Sequence, residues 1–429
     1  MSQYFNTLEI TKGFFIALLA SMFIYLSHWG YSSPIFITII SFSSLYLLFR
    51  SEKTTWGWYG LFIGLFWFWW ISLSLPHYGY AWAFPLGIVF VSSVYGLLFY
   101  AIAWLSEKIE MLLGVNALFI KASALLGLSY LHPFGFDWLK PELMFIESYL
   151  GIEKWQFGMI LLAISLSIWK KNLLFLLMAL TAYTPPNTLA TTTDDIDNAI
   201  ELVTTYTRVS EKWNKDLHPK QFQTILSRID RAIAKRKKLI ILPESVFPVF
   251  LNRSKNLMHI LQEKAKKISI VTGALYLDGK IPRNSTYIFT NDQVIIANKV
   301  KLVPFGESNP LPDFLGRWIN KILYDGAIDY VASNNVTDYT IDGITYRNAI
   351  CFEATSEKLY KKDKKKKHPE YMIVLSNNGW FVPSIEPTLQ KLLLQYYSKK
   401  YGTTIYHAVN MSPSYIIRQG KCLKPESNP

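Results

Sequence analysis

The feature that most constrains the fold is a succession of apolar runs in the first 185 residues. The runs lie at about 13–29, 34–49, 57–76, 83–105, 112–131, 157–169 and 172–184. A helix needs roughly 20 predominantly apolar residues to cross a bilayer, and the central runs reach this length. No cleavage pattern of a signal peptide follows the first run, so we interpret it as a retained anchor. The sequence therefore predicts a helical membrane bundle of about seven spans over residues 1–185.

Basic residues between the runs predict the orientation of this bundle. The loops and ends on one side hold a set of basic residues, namely Lys12, Arg50, Lys53, Lys108, Lys170 and Lys171. The opposite loops at 31–34 and 76–82 contain neither Lys nor Arg. Short cytoplasmic loops carry the excess of basic residues, so we expect a cytoplasmic N-terminus. With an odd number of spans, the rest of the chain would lie in the periplasm of a Gram-negative cell.

Charge is divided unevenly between the two parts of the chain. Residues 1–185 contain 9 Lys and Arg against 8 Asp and Glu, and the remainder contains 35 against 23, so the net charge of +13 falls almost entirely on the second part. A strongly basic domain suggests an anionic partner. Nucleic acid is the usual first guess, but a membrane-attached domain meets anionic lipid head groups first. Two cysteines do not provide a disulfide framework.

The second part has the pattern of a mixed α/β domain. A Pro, Thr and Asp-rich stretch predicts a linker at 186–196, and residues 197–418 alternate short apolar runs with polar helical segments. We expect strands at 200–207, 239–242, 268–277 and 371–376, helices at 218–238, 254–267 and 386–400, and a hairpin turn at Asp342-Gly343. Residues 419–429 would form a polar tail. The lysine-rich run at 361–368 is interpreted as a solvated loop, with contact to anionic lipid as the alternative.

Acidic, basic and nucleophilic groups follow several strand-like segments of this domain. Glu244 follows LIILP, Lys299, Lys301 and Glu307 lie in NKVKLVPFGE, and Cys351 follows YRNAI. Each residue alone has an ordinary structural explanation. Free cysteine, for example, is among the most buried residue types. Together they supply what a thiol needs for acyl transfer, which is a base and a cation near the developing negative charge. No Cys/His spacing typical of a metal site is present.

The segments around these residues resemble a known family. The motifs LPES, KLVPFGE, ICFE and SNNGWF, in a chain that begins with membrane spans, look like those of the bacterial apolipoprotein N-acyltransferases of the nitrilase superfamily. The resemblance covers about residues 195–418 and implies an α-β-β-α sandwich with a Glu-Lys-Cys triad. Glu244 would be the general base, Lys299 the cation at the oxyanion and Cys351 the nucleophile. The family's Lys lies eight positions before the Glu of PFGE, which selects Lys299 over Lys301.

The resemblance also implies a set of supporting residues. These are Glu307 and Glu353, which would hold the lysine and shape the pocket, the backbone amide of Phe352, and Trp213, Trp380 and Phe381 along the substrate path. Three features depart from the family. Phe352 replaces the usual Tyr, the segment QKLLLQYYSKKYGTT lacks the usual Arg and Glu pattern, and RQGKCLKPESNP is too polar to form the additional span that commonly follows the catalytic domain.

The function implied by the resemblance is transfer of an acyl chain from a phospholipid, through a thioester on Cys351, to the N-terminal amine of a diacylated apolipoprotein. A monomer in the inner membrane with a periplasmic catalytic domain is expected, with no cofactor, no metal and no nucleic acid. Two alternatives remain. A membrane-tethered carbon–nitrogen hydrolase would use the same triad with water as the acceptor. A transporter with a binding domain is the other, although the spans contain little charge and no evident inverted repeat.

Overall fold

The computed structural model describes residues 6–185, 195–304, 306–307, 330–361 and 368–423. The predicted linker at 186–196 lies outside the described residues except for its last two positions. The lysine-rich run at 361–368 lies outside them except for its two ends. Of the predicted polar tail at 419–429, residues 424–429 lie outside as well.

Helices occupy each of the seven apolar runs. In chain order they are α1 Thr7–Trp29, α2 Pro34–Phe49, α3 Lys53–Phe68, α4 Ser74–His77, α5 Phe84–Leu113, α6 Ala117–Leu128 and α7 Lys154–Trp169, followed by a 3₁₀ helix Leu173–Ala182. Within the described residues, four helical segments are long and apolar enough to cross a membrane, namely Thr7–Trp29, Lys53–His77, Ala81–Leu113 and Ala117–Gly135. The remaining apolar helices are shorter. The seven-span topology therefore stays a prediction.

Small residues allow α3 and α5 to pack closely. A Cβ atom added to Gly60 of α3 would lie 2.4 Å from the carbonyl oxygen of Tyr95 and 2.7 Å from Cβ of Phe99, both on α5. About two helical turns farther along α3, the ring of Phe68 stacks on that of Tyr95 with centroids 4.9 Å apart. Glycine at a helix contact permits backbone approach that a larger residue prevents, as is common between membrane helices.

In the second part of the chain, the described residues form five further helices and two six-stranded sheets. Its helices are α8 Asp195–Ala199, α9 Val209–Lys212, α10 His218–Ala234, α11 Lys255–Ala265 and α12 Glu386–Tyr401. Its strands are β1 Ile200–Leu202, β2 Leu239–Ile241, β3 Phe247–Phe250, β4 Ser269–Asp278, β5 Ile281–Thr290, β6 Gln293–Asn298, β7 Asp338–Ile341, β8 Ile344–Ile350, β9 Tyr371–Asn377, β10 Thr404–Asn410, β11 Tyr415–Arg418 and β12 Lys421–Leu423. One sheet has the order β1-β2-β4-β5-β6, with β3 paired to β4, and the other has the order β12-β11-β10-β9-β8-β7.

The two sheets pack face to face around a shared apolar core. Ile241 and Val271 of the first sheet belong to the same buried cluster as Tyr346, Leu375 and Ala408 of the second. A separate cluster lies between the first sheet and its helices, where Ile229 of α10 and Leu261 of α11 pack with Ile240 and Phe289. The predicted fold class, a helical membrane bundle with a layered α/β sandwich, is confirmed.

Local signals in the sequence located the turns better than the strand ends. Asp342 and Gly343 have φ of 48° and 81°, the left-handed values that the predicted two-residue hairpin turn requires. The strand predicted at 200–207 ends at Leu202, and Thr205 instead forms an isolated bridge with Asn410. Strand β12 falls within the predicted polar tail, where it pairs with β11.

The chain forms two compact units that exchange short segments of sequence. The helical unit consists of Met1–Pro133, Asp137–Asn187 and Pro383–Tyr396, and the α/β unit consists of Phe134–Phe136, Thr188–Val382 and Tyr397–Pro429. Within the helical unit, Tyr396 of α12 donates a hydrogen bond to the buried Glu142 carboxylate at 2.9 Å. Lys154 forms an ion pair with the same carboxylate at 2.7 Å. The predicted domain boundaries at 185 and 197 do not anticipate these exchanged segments.

The α3/α5 contact predicts the effect of adding one methyl group. Gly60→Ala should lower the thermal unfolding midpoint of the detergent-solubilised protein, because the added atom overlaps α5 and overpacking costs about 1–3 kcal/mol. Gly127→Ala in α6 is the matched control, since a Cβ there meets nothing within 4 Å. An equal midpoint for the two variants would contradict the close α3/α5 packing.

Candidate active site

The candidate site is built from the ends of strands in both sheets of the α/β unit. Glu244 follows β2, Lys299 comes directly after β6, and Cys351 comes directly after β8. Glu244 and Lys299 are buried, with 7% and 2% of their surface exposed, whereas Cys351 is half-buried. A buried strand ending in a turn places its last side chains at the sheet edge, which explains why three segments far apart in sequence contribute to one site.

Lys299 is the electrostatic centre of this group. Its Nζ lies 2.7 Å from Oε2 of Glu307 in a buried ion pair. Burial alone would disfavour the ammonium form, but the negative charges of Glu307, Glu244 and the Cys351 thiolate outweigh it and raise the pKa of Lys299 above its ordinary value. Lys299 therefore keeps its positive charge, and this charge interacts with both Glu244 and Cys351.

Asn284 of β5 joins the two carboxylates that face Lys299. Its Nδ2 donates to Oε1 of Glu244 at 2.8 Å and to Oε1 of Glu307 at 3.0 Å. Burial raises the pKa of the Glu244 carboxyl, although the Lys299 charge and the Asn284 amide act in the opposite direction. A carboxyl group whose pKa is raised by burial is better suited to take a thiol proton than a fully solvated one.

Cys351 lies at a backbone position that most residues avoid. Its φ is +52°, in the left-handed region, and it begins a 3₁₀ helix, Cys351–Thr355, immediately after β8. Such a conformation costs roughly 1–3 kcal/mol for a residue with a side chain, and it persists where the surrounding structure enforces it. Strained turns of this kind are concentrated at functional sites, where they expose a nucleophile at the end of a strand.

Glu353 enforces this turn through three backbone hydrogen bonds. Its Oε1 accepts from the Ile350 N–H at 2.7 Å, and its Oε2 accepts from the N–H groups of Val300 and Lys301 at 2.6 and 3.1 Å. Burial raises the pKa of Glu353 to about 7, although the Lys299 charge and these three N–H donors oppose the increase. One buried side chain thus fastens the Cys351 turn to the segment that carries Lys299.

The Glu244 turn is similarly constrained. Ser245, the next residue, has a φ of +46°. The turn lies so close to β4 that a Cβ atom on Gly273 would be 2.5 Å from the Ser245 nitrogen and 2.7 Å from Cα of Glu244. Only glycine fits at this position of β4, which explains how the carboxylate can project from the sheet edge while its backbone stays against the neighbouring strand.

Phe352, which replaces the usual Tyr of the family, has a ring environment that needs no hydroxyl. Its ring stacks on Phe136 with centroids 5.8 Å apart and planes inclined by 15°, and Nζ of Lys301 lies 5.1 Å from its centroid. All three residues belong to the α/β unit. Buried tyrosine usually needs a partner for its hydroxyl, so phenylalanine fits this stack without an unsatisfied polar atom.

The residues predicted to border the substrate path lie on neighbouring segments. Trp213 directly follows α9 and is 40% exposed, while Trp380 and Phe381 are half-buried at a short 3₁₀ helix, Asn378–Trp380. That helix packs near α9, because a Cβ on Gly379 would lie 3.3 Å from Cγ2 of Val209. Their role along the substrate path stays a prediction.

Sequence reasoning missed three residues of this region. Asn284 contacts two of the predicted carboxylates, Phe136 stacks on Phe352, and Lys212 donates from Nζ to the Glu244 carbonyl oxygen at 3.1 Å. Their partners are far away in sequence, so no local pattern marks them; only the position of Lys212 beside Trp213 was a signal. Among the described residues, no three His, Cys, Asp or Glu side chains are grouped so that they could hold a metal.

The hydrogen bonds of Asn284 predict that its amide is essential for arranging the charges. Asn284→Asp keeps the size of the side chain but replaces the shared donor by a third carboxylate, so the turnover rate should fall at least about a hundredfold, the scale of losing one oriented donor at an active site. Asn291→Asp, on an exposed turn after the same strand, is the control. An unchanged turnover rate for the Asn284 variant would contradict this arrangement.

The membrane part of the chain matches a known protein family. Residues 7–185 match the family model of the apolipoprotein N-acyltransferase integral membrane domain. Solved structures that match part of the chain include an amidase from Nesterenkonia, with 14% identity, 53% of this chain and 89% of that chain covered, and a TM-score of 0.39. A carbon–nitrogen hydrolase superfamily protein from Xanthomonas campestris has 14% identity, 52% and 83% coverage, and a TM-score of 0.37.

Curated relatives extend over nearly the whole chain. The apolipoprotein N-acyltransferase of Wolinella succinogenes is 38% identical over 409 residues, which are 94% of this chain and 94% of that protein. Those of Helicobacter pylori and Campylobacter jejuni are 36% and 31% identical, over 83% and 97% of this chain and 82% and 91% of theirs. From these relatives and the matching membrane domain, the chain belongs to the apolipoprotein N-acyltransferase family of integral membrane acyltransferases.

Proposed function

We propose that the chain transfers an acyl group from a phospholipid to the N-terminal amine of a diacylated apolipoprotein through a thioester on Cys351. The observation that carries this proposal is the buried charge of Lys299, which interacts with a half-buried thiol and with a buried carboxylate at strained turns. Membership of the acyltransferase family supports the class of reaction. The acyl donor, the acceptor and the covalent intermediate are parts of the proposal.

The first half-reaction forms the thioester. The Glu244 carboxylate takes the thiol proton while Sγ of Cys351 attacks the ester carbonyl carbon of the phospholipid. Negative charge develops on the carbonyl oxygen, where Lys299 and the backbone N–H of Phe352 stabilise it. Nζ has three N–H donors, and it lies 2.7 Å from Oε2 of Glu307, so one ammonium group can pair with Glu307 and also donate to a substrate oxygen. Collapse of the intermediate breaks the ester C–O bond, and the lysophospholipid leaves with the proton held by Glu244.

The second half-reaction transfers the acyl chain to the acceptor. The α-amine of the diacylglyceryl-cysteine attacks the thioester carbon, and Glu244 takes a proton from the attacking nitrogen. The same donors stabilise the second oxyanion. The C–S bond then breaks, Cys351 leaves as a thiolate and regains its proton, and the amide product departs. No cofactor enters either half-reaction, because both substrates supply the atoms that are exchanged.

In this scheme, polar and charged neighbours position the three reacting residues. Glu307 and Asn284 hold Lys299 and Glu244 in place, since each contacts its partner at 2.7–3.0 Å. Glu353 fixes the turn that presents Cys351 and the amide after it. We place Trp213, Trp380 and Phe381 along the route of the acyl chains, where partly exposed aromatic surface lowers the cost of removing a lipid tail from the bilayer.

The proposed topology places the N-terminus in the cytoplasm and the α/β unit in the periplasm, where lipid-anchored acceptors would meet it as a monomer. Basic residues in the loops on one side of the bundle support this orientation. A membrane-impermeant maleimide added to intact spheroplasts tests it. Labelling of Cys422 and Cys351 from outside is expected, and labelling only after lysis would overturn the orientation.

The thioester can be detected directly. After incubation with vesicles that contain phospholipid with a labelled acyl chain and no acceptor, the wild type should carry a hydroxylamine-sensitive label on the peptide containing Cys351. Cys422→Ser is the matched control, because it removes the other cysteine and should label normally. Addition of a synthetic diacylated lipopeptide should then release the label as an amide.

Three outcomes of this experiment are informative. Label on a Cys351→Ala variant, or none on the wild type, would overturn the covalent mechanism. Release of free fatty acid at the same rate with and without the lipopeptide would favour the carbon–nitrogen hydrolase alternative, in which water is the acceptor. Retention of the label until the amine is added would support acyl transfer.

A further inference from the structure

A buried cation that the proposed mechanism does not use lies behind the general base. Lys212, the last residue of α9, is only 3% exposed. Its Nζ donates to the main-chain carbonyl oxygen of Glu244 at 3.1 Å. Lysine is almost never fully buried without a compensating partner, so its position beside Glu244 calls for a functional explanation.

We propose that Lys212 is a positioning residue for Glu244, which holds the turn carrying the carboxylate and uses its positive charge to keep that carboxylate ionised. The inference rests on the proposed function, because it assumes that Glu244 is the base. It adds a residue that acts through Glu244 and that touches neither substrate.

The geometry of the turn gives Lys212 its mechanical role. Ser245 is left-handed and Gly273 lies against the backbone of Glu244, so the turn is fixed from the β4 side. The Lys212 hydrogen bond holds the Glu244 carbonyl from α9. Movement of the turn would shift the carboxylate relative to Cys351, and a displacement of about 1 Å in a reacting group can cost on the order of a hundredfold in rate.

The charges around Lys212 give it an electrostatic role as well. Glu244 faces it from the turn after β2, and Lys299, Glu307 and Tyr330 interact with the Glu244 carboxylate from the following segments. On the side of α10, His218 Nε2 lies 3.1 Å from the Lys212 carbonyl oxygen, and Glu211 precedes Lys212 in α9. Burial lowers the pKa of Lys212 to about 8, with the Glu244 charge acting in the opposite direction.

The sign of the effect follows from these charges. Below about pH 8 the ammonium group of Lys212 favours the ionised form of Glu244 and thereby lowers the pKa of this carboxyl. Above that pH the amine is neutral but can still donate to the Glu244 carbonyl. The mechanical role therefore persists across the range, whereas the electrostatic role disappears as pH rises through about 8.

Substitutions of Lys212 separate the two roles. Lys212→Gln keeps a donor without charge, Lys212→Arg keeps the charge, and Lys212→Met removes both. The rate of acyl-thioester formation in a single turnover is measured between about pH 6 and 9 for the full-length protein in vesicles, together with its unfolding midpoint. Lys215→Met, on the same segment but exposed, is the matched control and should behave like the wild type.

The expected result is a pH-dependent difference. The wild type should exceed Lys212→Gln in rate most strongly at the acidic end of the range, where Lys212 is charged, and the ratio of the two rates should approach one near pH 9. Lys212→Met should be slower still at all pH values. Lys212→Arg should retain the low-pH activity, since its guanidinium remains charged throughout.

Two results would overturn the inference. The first is a ratio of wild type to Lys212→Gln that does not change with pH, which would reduce Lys212 to a structural role. The second is normal labelling by Lys212→Met across the range. If Lys212→Met does not fold, the Gln and Arg variants decide the question by their pH profiles. A wild type without any Cys351 thioester would instead refute the proposed function itself.

Discussion

The active site depends on one buried ion pair, between Lys299 and Glu307. Moving an ammonium group out of water costs several kcal/mol unless opposite charges and hydrogen bonds compensate for it. Glu307 supplies the nearest charge at 2.7 Å, and Glu244 and Cys351 supply the rest of the negative field. Asn284 then joins the two carboxylates by donating to both. Because these groups compensate one another, removing any one of them would leave a buried charge without its partner.

This arrangement requires strand ends from two different sheets to keep fixed positions relative to each other. The sheets share the core that contains Ile241 and Leu375, and Glu353 ties the end of β8 to the residues after β6 through three backbone N–H groups. The left-handed conformations of Ser245 and Cys351 are sustained by these contacts and by the close approach of Gly273. The favourable packing of the two sheets thus compensates for the backbone strain of the two turns. Stable folds commonly maintain strained active-site geometries in this way.

The sequence predicted those features of the structure that depend on neighbouring residues, and it missed those that depend on contacts between distant residues. The hairpin turn at Asp342-Gly343 and the helices in the apolar runs depend on neighbouring residues, and both are present, although four of the helical segments in the described residues are long enough to cross a membrane. The end of β1 was misjudged because Thr205 pairs with Asn410, more than 200 residues away. Glu244, Lys299 and Cys351 were selected by family motifs around them, whereas Lys212 and Asn284 have no such motif and become visible only through contacts made on folding.

Each of the two compact units also includes a short segment from the part of the sequence that mainly forms the other. Phe134–Phe136 comes from the chain between α6 and α7 but belongs to the α/β unit, where Phe136 stacks on the residue after Cys351. Conversely, Pro383–Tyr396 belongs to the helical unit, where His28 and Glu142 hold Thr388 and Tyr396. Neither unit is therefore formed by a continuous stretch of chain, and a separately expressed 197–418 fragment would lack Phe136.

The central claim is that the charge of Lys299 activates Cys351, and the alkylation rate of this thiol tests it most directly. In a Cys422→Ser background, the iodoacetamide reaction at pH 7 is followed for Lys299→Met and for Lys301→Met, whose Nζ lies near Phe352 and Ser356 instead. Loss of the Lys299 charge should slow alkylation at least about tenfold, because the thiolate is the reactive form and a nearby cation favours it. The Lys301 variant should stay within about threefold of the parent, because its Nζ lies near Phe352 and Ser356. A tenfold change in the thiolate fraction corresponds to about one pKa unit. Equal rates for both variants and the parent would contradict the claim.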